Sequence, residues 1–244
     1  MRWLTPFPAP LGAQLYDRAY YESPEDGHLY SVQTRQMMQL YAERAARFRA
    51  LGVAGGLLDV GCGTGDFLLA AREAGIAGQG VELSEYAAAL GAKAGLRVWH
   101  GDLDGFPGER GSFAALHCSH VLEHVLDARA FLGRLHDLLQ ANAPVYFEVP
   151  LQFDGVLERI QALRGRQLPY STYSIHHHYF FTPRSLRELL EANGFRVDAL
   201  TTFLPARRAA RPPGLRKWAL QTLLWAADRL ASAGDVIAVW GRRV

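Results

Sequence analysis

The stretch Leu57-Leu58-Asp59-Val60-Gly61-Cys62-Gly63-Thr64-Gly65-Asp66-Phe67-Leu68 decides the fold. Its first four residues, three of them apolar, read as a buried strand, and the glycines end it. Asp66 then opens a stretch with helical spacing. A turn of alternating glycines has no side chains to keep a ligand off the backbone. The helix behind it begins with N–H groups that have no partner within the helix. Dinucleotide enzymes use a related turn, G-x-G-x-x-G, whose last glycine lets the helix close on the strand while the pyrophosphate sits on the helix end. Asp66 occupies the place of that last glycine, and a carboxylate there repels a pyrophosphate. A cofactor without phosphates suits this turn better, with a nicotinamide-dependent oxidoreductase as the alternative.

Outward from the turn, short apolar runs alternate with helical stretches. Strands are predicted at Gln79–Leu83, Arg97–His100, Phe113–Ser119 and Val145–Val149, and helices at Asp66–Ala74, Glu85–Ala94 and Ala128–Gln140. This order predicts an α/β fold with a parallel sheet covered by helices on both faces. Thr182-Pro183 suits an N-cap and first helical residue for a helix over Arg184–Asn193, capped by Gly194. Arg196–Phe203 and Asp235–Trp240 read as two last strands, with a helix at about Leu215–Ala231 between them. Upstream, Met37, Met38, Tyr41, Ala45, Phe48 and Leu51 fit a helix within Ser31–Leu51. The chain is read as one domain over 1–244. Residues 1–50 form a helical lead-in and lid, 51–150 a cofactor-binding half, and 151–244 an acceptor-side half with a helical insertion at about 205–232.

The composition restricts the partners. With 244 residues, 49% hydrophobic and 20% charged, the chain has the balance of a soluble globular protein. A formal net charge of +2 does not support nucleic-acid binding through bulk electrostatics. There is no apolar run long enough to span a membrane and no signal-peptide core at the N-terminus, so a cytoplasmic location is expected. The two cysteines, Cys62 and Cys118, do not make a disulfide framework and are expected to be small buried residues.

The second half of the cofactor signal is Glu82, 21 residues after Gly61 at the end of the second strand. Its two oxygens can accept hydrogen bonds from both hydroxyls of a ribose. Asp102, in Gly101-Asp102-Leu103, can accept from an adenine amino group while Leu103 packs on the ring. These motifs stand in order with Cys118-Ser119-His120-Val121-Leu122-Glu123-His124-Val125. Together they resemble the class I methyltransferases that depend on S-adenosylmethionine (SAM), a cofactor with an amino group, a sulfonium and no phosphate. The segment after the fourth strand, Phe147-Glu148-Val149-Pro150 and Phe181-Thr182-Pro183-Arg184-Ser185-Leu186 resemble the branch that includes quinone, natural-product and sugar methyltransferases. The resemblance covers roughly residues 50–200 and the last strand. It implies a Rossmann-like, doubly wound sheet of seven strands, mostly parallel, with the last strand antiparallel. SAM is then expected at Asp59, Gly61, Gly63, Gly65, Glu82, Leu83, Asp102, Leu103, Ser119 and His120.

Methyl transfer from a sulfonium needs the acceptor held in line, a positioning worth about 7–11 kcal/mol, and a base if the acceptor must lose a proton. Histidine suits that task near neutral pH. His177 stands five residues before Thr182, where the resembling branch often has a histidine, and it is the first candidate, followed by His120 and His178. Tyr20, Tyr21, His124, Tyr173 and His176 are candidates for touching the acceptor. The expected acceptor is a hydroxyl, or else an amine, of a small molecule or glycan. A non-catalytic SAM-binding protein is the alternative from another class. The pair His120 and His124 has metal-ligand spacing but not the zinc-protease order H-E-x-x-H, and no metal is expected. The basic residues Arg207, Arg208, Arg211, Arg216 and Lys217, with Trp218 and Trp225, read as the solvated basic edge of a helix packed on the sheet, with a weak membrane-surface contact through 207–225 as the alternative.

Overall fold

A computed structural model describes residues 2–3, 35–151, 177–203, 234 and 236–244. In chain order the elements are β1 (Arg2–Trp3), α1 (Arg35–Ala50), β2 (Leu57–Val60), α2 (Asp66–Glu73), β3 (Gly78–Glu82), α3 (Glu85–Lys93) and β4 (Arg97–His100). They continue with β5 (Ala115–Ser119), α4 (Ala128–Leu138), β6 (Pro144–Pro150), β7 (Tyr179–Phe180), α5 (Pro183–Glu191), β8 (Phe195–Phe203) and β9 (Val236–Arg243). Seven strands form one sheet in the order β4-β3-β2-β5-β6-β9-β8. In that sheet β9 alone is reversed, running antiparallel to β6 and β8, while the other pairs are parallel. This is the predicted Rossmann-like architecture. The antiparallel pair of β1 and β7, with Arg2 opposite Phe180, was not foreseen from the sequence.

All four residues of β2 are buried because both faces of the sheet are covered. Side chains alternate between the faces. Leu58 and Val60 join Leu116, Phe147 and Val149 under Leu132, Leu135 and Leu138 of α4 and Leu186 and Leu190 of α5. Leu57 joins Ala115, Tyr146 and Ala238 under Ala45 and Phe48 of α1 and Phe67, Leu68 and Ala71 of α2. The leucines of α4 recur at three-residue spacing, which keeps them on one helical face. Thr182 caps α5 and Pro183 begins it, as the sequence suggested, and Ser185 completes a reciprocal capping box with Thr182.

The differences lie at element ends, where partners set the limit. β5 begins at Ala115, opposite Leu57, rather than at Phe113. Phe113 makes only an isolated bridge to Leu139. α4 stops at Leu138 because Leu139 turns to extended backbone to make that bridge. β3 ends at Glu82, opposite His100, leaving Leu83 outside the strand. α5 ends at Glu191, and Gly194 follows its cap with φ +82°. β9 extends to Arg243, beyond Trp240, because β6 and β8 pair with it along that length. Tyr20, Tyr21, Tyr173, His176, the helix at Leu215–Ala231 and the 207–225 segment lie outside the described residues, as does the 1–50 lead-in apart from β1 and α1.

Candidate active site

The parallel strands end together, and ligands in such sheets bind beyond those ends. At the end of β2 the Gly61 N–H donates to the Val81 carbonyl at 2.8 Å, starting the turn. Gly61 has φ +69°, and a Cβ there would lie 2.3 Å from Val121 Cγ2, so the segment after β5 presses against the turn. Gly63 has φ +54°, and the space beside it is open to at least 4 Å. Gly65, with no side chain to cap α2, leaves the first N–H groups of that helix without a side-chain partner. Asp66 accepts a hydrogen bond from the Thr64 hydroxyl at 3.0 Å.

Glu82 ties this turn to α3. Its Oε2 accepts from the Gly63 N–H and its Oε1 from the Ser84 N–H, both at 2.8 Å. Ser84 in turn caps α3, its Oγ accepting from the Ala87 N–H. Burial pushes the Glu82 carboxyl up, against the pull of the Ser84 and Gly63 N–H groups. At the end of β4, exposed Asp102 accepts from the Gly105 N–H at 2.7 Å, and Leu103 lies in the core. Leu83 is 40% exposed.

Beneath the turn runs a buried polar row that the sequence reading missed. Asp59 and His117 are register partners on β2 and β5. Nδ1 of His117 donates to Asp59 Oδ1 at 2.7 Å, and Nε2 lies 3.4 Å from the Arg44 guanidinium. The imidazole is stacked between Phe67, at 3.7 Å, and Tyr146, at 5.2 Å. Burial lowers its pKa, against the Asp59 carboxylate, and a neutral ring matches these contacts: one N–H for Asp59 and one lone pair for Arg44. Arg44 comes from α1, sits 4.6 Å over the Tyr146 ring and pairs with Glu148. Tyr146 also donates its hydroxyl to Glu148.

Glu148 carries the row to the end of β5. Its Oε1 accepts from Ser119 Oγ at 3.0 Å and lies 3.2 Å from His120 Nε2. Burial works against this carboxylate's charge, but His120, Arg44 and Tyr146 outweigh it and hold the pKa at about 2. His120 has φ +55°, and its other ring nitrogen lies 3.3 Å from Glu123 Oε1. Desolvation works against the charge of that ring, but the flanking Glu123 and Glu148 carboxylates raise its pKa well above the usual range. Burial likewise pushes the Cys62 and Cys118 thiols up, and both are free and buried as expected.

A folded pKa of about 2 makes Glu148 an acid-sensitive element. The group's folded value lies below its ordinary value of 4.5, so its contribution is present above pH 4.5 and is lost as pH falls toward 2. About 3 kcal/mol of stability is expected to disappear over that window. Urea melts between pH 6 and pH 2.5 measure it; Glu148→Gln should flatten the slope, and an unchanged slope refutes the assignment.

Glu123 is fully buried, and burial opposes its charge while His120 lowers its pKa and prevails. Its backbone carbonyl accepts from the His178 N–H at 2.7 Å and the Tyr179 N–H at 3.2 Å, docking the later segment against the β5 end. His178 turns inward, its Nδ1 donating to the Val125 carbonyl at 3.3 Å. The rings of His124 and His177 meet edge to face at 4.6 Å. Thus His120, Glu123, His124 and His177 come together beside the glycine turn, while His178 faces the backbone.

The glycine turn, the open space at Gly63 and the buried acid at the end of β3 fit a phosphate-free nucleoside cofactor. A model of the methyltransferase domain matches residues 13–200. The chain therefore belongs to the class I SAM-dependent methyltransferase family, and its cofactor is SAM. Solved structures share the fold. A chain described as a methyltransferase, in complex with the Haloferax volcanii Trm112 methyltransferase activator, is 16% identical with TM-score 0.64, covering 92% of this chain and 96% of that one. A SAM-dependent methyltransferase from Mesorhizobium loti is 21% identical with TM-score 0.59, covering 84% and 100%. Geranyl diphosphate C-methyltransferase from Streptomyces coelicolor A3(2), in complex with Mg2+, geranyl diphosphate and S-adenosyl-L-homocysteine, is 15% identical with TM-score 0.59, covering 97% and 100%. No curated protein matches the chain. No helix among the described residues is long and apolar enough to cross a membrane.

Proposed function

We propose that the protein methylates a hydroxyl of a small molecule or glycan, with His177 taking the hydroxyl proton. The observation that carries this reading is the docking of His177 beside His124 and Glu123, at the same sheet edge as the glycine turn. SAM, when bound, supplies an electrophilic methyl carbon on a sulfonium. Glu82 has lone pairs beyond those used by Gly63 and Ser84, and these suit the ribose hydroxyls. The Gly61, Gly63 and Gly65 backbone lets the amino-acid end approach, and Asp59 lies behind it. Asp102, Leu83 and Leu103 hold the adenine, and Ser119 and His120 border the reacting end.

Among the histidines the division of work follows from charge. His120, between two carboxylates, holds its proton at neutral pH and orients the acceptor through its charge. His177 is left to receive the proton, with His124 beside it shaping the acceptor pocket. A hydroxyl is favoured over an amine because removing its proton is the step a positioned histidine helps.

The test is turnover with SAM and a panel of hydroxyl and amine acceptors, reading methylated product by mass together with S-adenosylhomocysteine release. Hydroxyl products are expected. His177→Ala should lower kcat about 100-fold or more while SAM binding stays unchanged. Methylated amines with untouched hydroxyls, or a full kcat in His177→Ala, would sink the reading.

A further inference from the structure

We propose that Glu123, His124 and His177 form a binding site for one divalent transition-metal ion. Each residue offers one ligand atom, and the three atoms lie within 4.8 Å of one another. Two imidazoles and a carboxylate suit zinc and its transition-metal neighbours, while magnesium and calcium prefer oxygen donors throughout.

The second observation is the state of Glu123. The residue is 0% exposed, and its Oε1 faces the His120 ring, yet its Oε2 has no hydrogen-bond partner among the described residues. A buried carboxylate oxygen left unsatisfied is costly, and natural structures supply such groups with a partner, a water or an ion. Glu123 Oε1 lies 3.9 Å from His124 Nε2, and a cation bound by this carboxylate and the two imidazoles would give Glu123 the further partner it lacks.

The framework around the three donors is in place. The Glu123 carbonyl holds the backbone at His178 and Tyr179, next to His177. The His124 N–H donates to the Val121 carbonyl at 2.9 Å, closing the turn that carries both early ligands. His120 Nδ1, 3.3 Å from Glu123 Oε1, holds the carboxylate's rotation, the outer contact that metal-binding carboxylates commonly have. Donors around a tetrahedral zinc stand about 3.3 Å apart, so binding draws the three inward by side-chain rotation. Three protein ligands leave a fourth position for water or an acceptor oxygen. An ion bound here takes the His177 nitrogen that the proton transfer proposed above uses, so zinc should inhibit turnover. The site itself does not depend on that reading.

The experiment is calorimetric titration of the chelator-treated full-length protein with Zn2+ and separately with Mg2+, alongside a SAM titration of the same preparation. One Zn2+ per chain and no Mg2+ are expected. His124→Ala and His177→Ala should each weaken the Zn2+ isotherm by about 100-fold. Glu123→Gln should weaken it too, with a circular dichroism melt reporting whether that buried position still folds; the two histidine variants decide the matter if it does not. No Zn2+ binding, or Zn2+ binding in both histidine variants as tight as in the unmodified protein, overturns the site. Either of those results with SAM binding retained leaves the methyltransferase assignment standing. Zn2+ binding that depends on both histidines upholds the site even if every hydroxyl acceptor fails.

Discussion

Glu82→Ala is expected to weaken SAM binding by about 100-fold or more, with the sheet intact. The carboxylate is 6% exposed and accepts from the Gly63 and Ser84 N–H groups, so it holds the glycine turn and the start of α3 at one point. Alanine removes that tie and, in the proposed binding mode, the acceptor for the ribose hydroxyls. Hydrogen bonds to a charged group are worth about 1.5–3 kcal/mol each, so losing two corresponds to roughly 100-fold or more in affinity. Glu82→Gln should fall between, because its amide group replaces one acceptor oxygen with a donor facing an N–H. Calorimetric titration with SAM checks both variants. An unchanged affinity in Glu82→Ala would remove Glu82 from the cofactor site.

Arg44→Met is expected to destabilise the protein by about 3–5 kcal/mol. Arg44 is 6% exposed, pairs with buried Glu148 and covers the Tyr146 ring. Methionine restores part of the packing but leaves Glu148 with a weaker countercharge in a dry position. The loss should be far smaller once the charge it exposes is removed as well. Arg44→Met combined with Glu148→Gln is therefore expected to be more stable than the sum of the two single changes implies. Urea unfolding at pH 7 measures all three. A loss below about 1 kcal/mol in Arg44→Met would mean that the pair is not the link between α1 and the sheet that the structure shows. The same row reaches Ser119 and His120, so Glu148 links Arg44 of α1 to the end of β5.

Much of the fold was legible in local chemistry. Apolar runs ending in glycine marked β2 and its turn, and three-residue leucine spacing marked α4. Thr182 and Pro183 carried the start of α5, because capping depends only on neighbours in the chain. Glu82 stood out for the same reason: an acid closing a buried strand, at a fixed distance from a glycine turn. The element ends were less legible, since β5 stops pairing where β2 does and β9 runs on where β6 and β8 continue.

The order of elements, the glycine turn and the acid closing the next strand were set by local sequence, and the seven-stranded sheet followed from the resemblance those motifs carry. The polar row of Asp59, His117, Arg44 and Glu148, and the cluster of His120, Glu123, His124 and His177, came from long-range packing. Arg44 meets His117 across 73 residues and Glu148 across 104. Alternation along a strand says which face a side chain takes, but not which residue stands opposite it on the next strand or which helix covers it. Those choices are made by register and by helix packing, and they gave His120 two carboxylates for neighbours and His177 a second imidazole.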